Sequence, residues 1–258
     1  MKQMRTIVVG VLVALLVVVA ATGVASAAKA KKVSGTITVS AAASLTEAFT
    51  KLGTDFQKAN PGTTVTFNFG ASSALVTQIQ GGAPADVFAS ADGTNMQKLV
   101  SGGQVTAEPT VFAANELTIV VKKGNPAKVK SLADLADLGI VSLCADAVPC
   151  GKYAAQALAQ AGATIPPDKI TKGADVKAAL SAVSTGDADA AIVYTTDAGS
   201  SVQSVRIPAW LNVYAVYPIA PIASSQSQDL AKAFVKYTVS PVGQKTLASY
   251  GFLPPPGR

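Results

Sequence analysis

Two segments of the chain repeat one pattern, and that pattern narrows the folds open to it. Residues 37–47, ITVSAAASLTE, alternate apolar and polar side chains, pass through Ala41, Ala42 and Ala43, and enter a helical spacing at Ser44. Residues 64–69 alternate again, Gly70-Ala71-Ser72-Ser73 follows, and Leu75, Val76 and Ile79 resume the helical spacing. Period-two alternation marks a half-buried strand, and apolar positions three or four apart mark an amphipathic helix. A strand that feeds a helix through a turn of small residues is the building unit of an α/β fold. Such a turn also leaves room for a ligand to approach the backbone. The helix beyond it offers unpaired N–H groups and a partial positive charge, so an anion can bind there without Lys or Arg. Ser44 and Glu47 have the spacing of a capping box, so Ser44 is expected to cap its helix, and Ser72 in the repeated unit is expected to cap the next one. On the segment alone, that structural role accounts for the serine.

The remaining chain continues the alternation of strands and helices. Leu45, Ala48, Phe49, Leu52 and Phe56 form an amphipathic stripe that stops at Asn60-Pro61-Gly62. Residues 85–89 are expected as a strand leading to Asp92, with Asp86 and Asp92 in turn and cap roles rather than as a catalytic pair. A short helix over 96–100, a buried strand over 117–121 and a short helix opened by Ser131 follow. A strand at 140–143, and a turn then strand over 186–194 that ends at Tyr194, flank helices expected at 152–161 and from Asp175 onward. A strand at 213–219 and helices at 230–239 and 242–250 complete the series. The predicted class is α/β with mixed, mostly parallel sheets, helices on both faces, and strands at whose carboxyl ends ligands bind.

The start of the chain has its own logic. Lys2 and Arg5 precede the apolar run 7–21, which gives way to Val24-Ala25-Ser26-Ala27. That is the layout of a secretory signal peptide over residues 1–27, with an uncleaved anchor as the alternative. Removing it takes two basic residues from the formal charge of +6 and leaves 19 basic against 15 acidic side chains, a net +4. The charges are scattered, with no basic stripe interleaved with aromatics, which argues against nucleic acid. Cys144 and Cys150 are the two cysteines of an exported chain, so a structural disulfide is favoured. Two cysteines and no histidine are too few for zinc, and a nucleophilic cysteine would lack an imidazole base.

Seven pieces in order carry a resemblance: AAASL at 41–45, GASSAL at 70–75, GAPADVFASAD at 82–92, PCGKYA at 149–154, ADVKAAL at 174–180, AIVYTTDA at 191–198 and YGF at 250–252. Together they resemble the molybdate-binding periplasmic proteins of ABC importers, a type II solute-binding family. The resemblance implies a two-domain periplasmic-binding-protein type II fold, with domain I at 33–115 and 219–258 and domain II at 116–218. It puts a hinge of crossover strands near Asn115–Glu116 and Tyr217–Ile219. It implies that Ser44, Ser72, Cys150, Val176 and Tyr194 bind the oxyanion, Cys150 and Val176 through their backbone N–H groups. Molybdate or tungstate would be held as an oxyanion, with no direct metal ligands and no cofactor. The implied partners are the membrane permease and ATPase subunits of an importer, and a monomer is expected. Glu47 is expected to face solvent rather than reach back to the Ser44 N–H.

Two other readings compete. A receptor for a different tetrahedral oxyanion, such as sulfate, would use the same neutral donors. An exported serine hydrolase acting through Ser44 or Ser72 fails on chemistry, because the chain has no His and no G-x-S-x-G elbow.

Overall fold

The computed structural model describes residues 33–257. The signal-peptide expectation for 1–27 lies outside those residues. The first half of the fold contains β1 (Gly35–Ala42), α1 (Thr46–Ala59), β2 (Thr63–Gly70), α2 (Ser72–Gln80), β3 (Val87–Ala89) and α3 (Gly93–Ser101). A long strand β4 (Thr110–Lys122) leads to β5 (Val141–Cys144), α4 (Pro149–Gln160), β6 (Ile170–Gly173), α5 (Val176–Thr185), β7 (Ala190–Tyr194) and β8 (Val202–Arg206). The chain returns along β9 (Tyr214–Pro221) and ends in α6 (Gln228–Val239) and α7 (Pro241–Ser249). Among the described residues, no helix is long and apolar enough to cross a membrane.

The strands run in the order β2-β1-β3-β9-β4-β7-β5-β6, with β8 pairing β4 off that path. Four pairs are parallel and four antiparallel, so the sheet is mixed, and every antiparallel pair involves β4 or β9. β4 changes partner along its length. Thr110–Glu116 pair with β9, whereas Leu117–Val121 pair with β7. The β1–β2–β3 end and the β5–β6–β7 end of the sheet are therefore joined through β4 and β9.

Each helix follows from its apolar spacing. In α1, Ala48, Phe49, Leu52, Gly53 and Phe56 are buried, and the helix stops where the Asn60 side chain donates to the Phe56 carbonyl and Gly62 turns left-handed. Phe49 packs edge-on to Phe234 of α6 at 6.1 Å and against Phe112 of β4 at 5.6 Å between ring centroids. Phe56 lies 5.4 Å from Phe234. Burying rings of this size contributes about 2–3 kcal/mol each. This cluster fixes α1, and therefore the turn preceding it, against the sheet.

Asp86 and Asp92 have structural roles, as expected. Asp92 caps α3 by accepting from the Asn95 N–H at 2.8 Å. Asp86 accepts from the Thr38 N–H at 2.7 Å and from the Ser225 hydroxyl. The helix expected from Lys152 begins three residues earlier with Pro149 in its first turn, where a missing N–H costs nothing. The helix expected at Ser131 is a 3₁₀ turn at Ala133–Asp137. Asp134 rather than the serine organises it, accepting from the Lys130 and Ser131 N–H groups.

Candidate functional site

One cavity of about 220 Å³, partly open to solvent, lies where β1, β2 and β3 on one side meet the starts of α4 and α5 and the end of β7 on the other. Only about 20 Å³ of it is reachable by the centre of a water-sized sphere, and about 10–15 Å³ suffices for one water, so it is space for a small ion and little more. Its lining includes Ala42, Ala43, Ser44, Gly70, Ala71, Ser72, Ala91, Val148, Pro149, Cys150, Asp175, Val176 and Tyr194. All five residues predicted for the site, Ser44, Ser72, Cys150, Val176 and Tyr194, are among them. None is more than 3% exposed.

The two serines reach the cavity differently from the sequence expectation, because neither caps a helix. After β1 the chain makes a 3₁₀ turn, Ala43–Leu45, and Ser44 sits inside it; α1 begins at Thr46, with no side-chain cap. The Thr46 hydroxyl takes the local backbone bond instead, donating to the Ala43 carbonyl at 2.7 Å. Ser44 Oγ is left to meet Tyr217 Oη at 2.9 Å. The Ser44–Glu47 capping box is accordingly absent, and Glu47 is half-exposed and turned away to Lys177. Ser72 is the first residue of α2 rather than its cap. Its Oγ accepts from the Ala91 N–H at 3.0 Å, so its proton remains available to an acceptor in the cavity.

Cys150 and Val176 occupy the first turns of α4 and α5, where backbone N–H groups have no carbonyl four residues back. Cys144 and Cys150 form a disulfide with Cα atoms 5.8 Å apart, tying the start of α4 to the end of β5. Gly151 makes that closeness possible, since a Cβ there would lie 2.1 Å from the Ala145 carbonyl oxygen. Gly173 does the same beside α5, where a Cβ would lie 2.6 Å from the Ala179 nitrogen. Asp175 caps α5 by accepting from the Ala178 N–H at 2.9 Å. The one carboxylate in the lining is thus engaged by its own helix.

Tyr194 completes the set. It ends β7, is 1% exposed, and its Oη has no hydrogen-bond partner among the described residues. A buried hydroxyl without a partner costs about 1–3 kcal/mol, which a ligand acceptor would recover. Burial pushes this phenol well above the usual range, so it remains a donor. The lining contains no Lys or Arg. Lys152 and Lys177 stand at the first turns of α4 and α5, but each faces an acid: Lys152 lies 3.5 Å from Asp92, and Lys177 lies 2.8 Å from Glu47 and 2.9 Å from Asp197. A cavity built this way offers hydroxyl and backbone donors, two helix N-termini from α4 and α5, and no net positive charge. Neither serine has a base beside it, and among the described residues no group of His, Cys, Asp or Glu could hold a metal ion.

Residues 37–253 match the bacterial extracellular solute-binding protein family. The chain belongs to that family. As a solute-binding protein it is not an enzyme. It is 40% identical over 223 residues to the molybdate-binding protein ModA of Mycobacterium tuberculosis, covering 85% of each chain. The Azotobacter vinelandii periplasmic molybdate-binding protein shares the fold of this solute-binding protein with a TM-score of 0.76 and 21% identity, covering 85% of this chain and 99% of that one. The sulfate-binding protein SubI from Mycobacterium tuberculosis shares it too, with a TM-score of 0.77 and 23% identity over 85% and 86% of the two chains.

Sequence reasoning missed Tyr217 and Asn115 at this site. Tyr217 Oη meets Ser44 and also receives a long bond, 3.4 Å, from the Asn115 side-chain amide. Asn115 donates to Thr196 Oγ1 at 2.8 Å as well. A polar Asn and a Tyr within otherwise apolar strands were the available signals.

Proposed function

We propose that this solute-binding protein is an extracytoplasmic receptor that captures molybdate, or tungstate, and delivers it to the permease and ATPase subunits of an ABC importer. The observation that carries the reading is the convergence of Ser44, Ser72, Tyr194 and the first-turn N–H groups of Cys150 and Val176 on one small cavity. Donors without formal charge suit a fully deprotonated tetrahedral dianion, because helix dipoles and hydrogen bonds offset its charge. The 40% identity to a molybdate-binding relative supports the choice of ligand.

In this reading the chain has two domains, 33–115 with 219–258 and 116–218, hinged where β4 and β9 cross. The exchange of β4 partners between Glu116 and Leu117 supports that division. Ser44 and Ser72 then come from one domain and Cys150, Val176 and Tyr194 from the other, so ligand binding favours closure. The protein acts as a monomer outside the cytoplasmic membrane.

Calorimetric titration of the mature chain with molybdate, tungstate, sulfate and phosphate tests the assignment. Tight binding of the first two and none of the last two is expected. Preferential sulfate binding would keep the site and replace the ligand, an outcome given weight by the shared fold of the sulfate-binding protein. No binding of any anion would overturn the site itself.

A further inference from the structure

The hydrogen bonds behind Ser44 have a direction that can be worked out from the backbone. The Glu116 N–H, which can only donate, points at Asn115 Oδ1 at 3.0 Å, and the Thr195 hydroxyl donates to the same oxygen at 3.0 Å. That fixes the orientation of the Asn115 amide, so its nitrogen is the end that faces Thr196 Oγ1 and Tyr217 Oη. Tyr217 Oη therefore accepts from Asn115. Its own proton has one acceptor within reach among the described residues, Ser44 Oγ at 2.9 Å. Were Ser44 instead the donor, the Tyr217 proton would be buried with no acceptor in a residue that is 0% exposed, which is the costlier arrangement. Ser44 Oγ is thus an acceptor toward Tyr217, and its proton is free for the cavity.

We propose that Asn115 and Tyr217 are positioning residues that fix the direction of the Ser44 hydroxyl, so that its proton points at the bound oxyanion. The proposal rests on the oxyanion reading of the cavity. Ser72 is committed in the same direction by the Ala91 N–H. Asn115 sits at the last β9-paired positions of β4 and Tyr217 on β9, so the relay is anchored in the strands that join the two ends of the sheet.

The test is a thermodynamic cycle on Ser44 and Tyr217, read by calorimetry with molybdate. Tyr217→Phe is expected to weaken molybdate binding about fivefold, the scale of one net hydrogen bond between neutral groups. In a Ser44→Ala background the same change is expected to have less than about a twofold effect, because Tyr217 acts through Ser44. Equal losses in both backgrounds would overturn the proposal. Asn115→Asp keeps the acceptor for the Glu116 N–H but reverses the donor end. Its loss must likewise shrink in the Ser44→Ala background, and simple charge repulsion would persist there and overturn the relay. Failure of the unmodified protein to bind molybdate would instead overturn the proposed function, and this inference with it.

Discussion

Lys177 lies 2.8 Å from Glu47, and that contact joins the first turn of α5 to the first turn of α1 beside the cavity. The same ammonium lies 2.9 Å from Asp197, whose side chain is fully buried. The two halves of this bridge differ in worth. Glu47 is half-exposed, and an exposed pair is worth about 1 kcal/mol or less. Glu47→Gln is therefore expected to change molybdate affinity by less than about fivefold. A large loss by calorimetry would show that Glu47 orders the site.

Removing the lysine has a larger effect. Lys177→Met leaves the Asp197 carboxylate buried without its counter-charge, a change expected to cost about 3 kcal/mol at pH 8 in urea unfolding. The cost should shrink at pH 5, where Asp197 can take up a proton. A pH-independent loss would mean that Lys177 contributes through packing.

Asp197 also sets a pH dependence in the unmodified protein. Burial raises its carboxyl to about 6 from the usual 3.8, with Lys177 opposing the shift and Glu47 adding to it. A native value above the unfolded one means that the folded state binds the proton more tightly. The associated stability is complete below about pH 4 and is lost as pH rises through 6. Asp197→Asn should abolish this segment of the stability–pH curve, worth roughly 3 kcal/mol across it. Thermal unfolding between pH 4 and 8 measures the difference between the two proteins.

Ser44→Ala and Ser72→Ala are each expected to weaken molybdate binding by roughly tenfold or more, as each removes a donor to a charged ligand. Their stabilities should fall as well, because Ser72→Ala strands the Ala91 N–H and Ser44→Ala strands the Tyr217 hydroxyl. Losses of about 1–2 kcal/mol are expected in each case. Unchanged affinity with lowered stability would assign the serines to the scaffold.

The disulfide makes a separate prediction. Replacing both Cys144 and Cys150 by Ala opens a six-residue span and should lower stability by roughly 2 kcal/mol. Affinity should fall with it, since the bridge fixes the turn that aims the Cys150 N–H. Equal affinity in both forms would show that Pro149 and Gly151 hold this turn unaided.

The parts of the fold legible in the sequence were those where local and tertiary demands agree. α1 and β2 show clean periodicities because Phe49 of one and Phe67 of the other meet in one aromatic cluster, and β1 shows one where Ile37 and Val39 are fully buried. The two-residue charge and turn signals at Asp92 and Asp175 also matched their caps. β6 and β8 escaped notice because they are short and mostly exposed, so ITKG and VQSVR lack an apolar face to read. The predicted serine caps failed because nearby groups competed: Thr46 took the local backbone bond, and Ser44 turned to a tyrosine 173 positions away. The five residues expected at the site, all of which line the cavity, could be named because they lie in contiguous motifs. Asn115 and Tyr217 could not, since their role exists only once β4 and β9 lie side by side.

The chemistry of the lining has a consequence for unloading. Serine hydroxyls and backbone N–H groups do not titrate near neutral pH, and burial keeps the Tyr194 phenol protonated. A proton gradient therefore has no handle on the five donors, and acidification would not switch off their grip. On the proposed reading, an ion held in this cavity would leave when the strands carrying its donors are drawn apart, so release would be a matter of applied work rather than of changed charge.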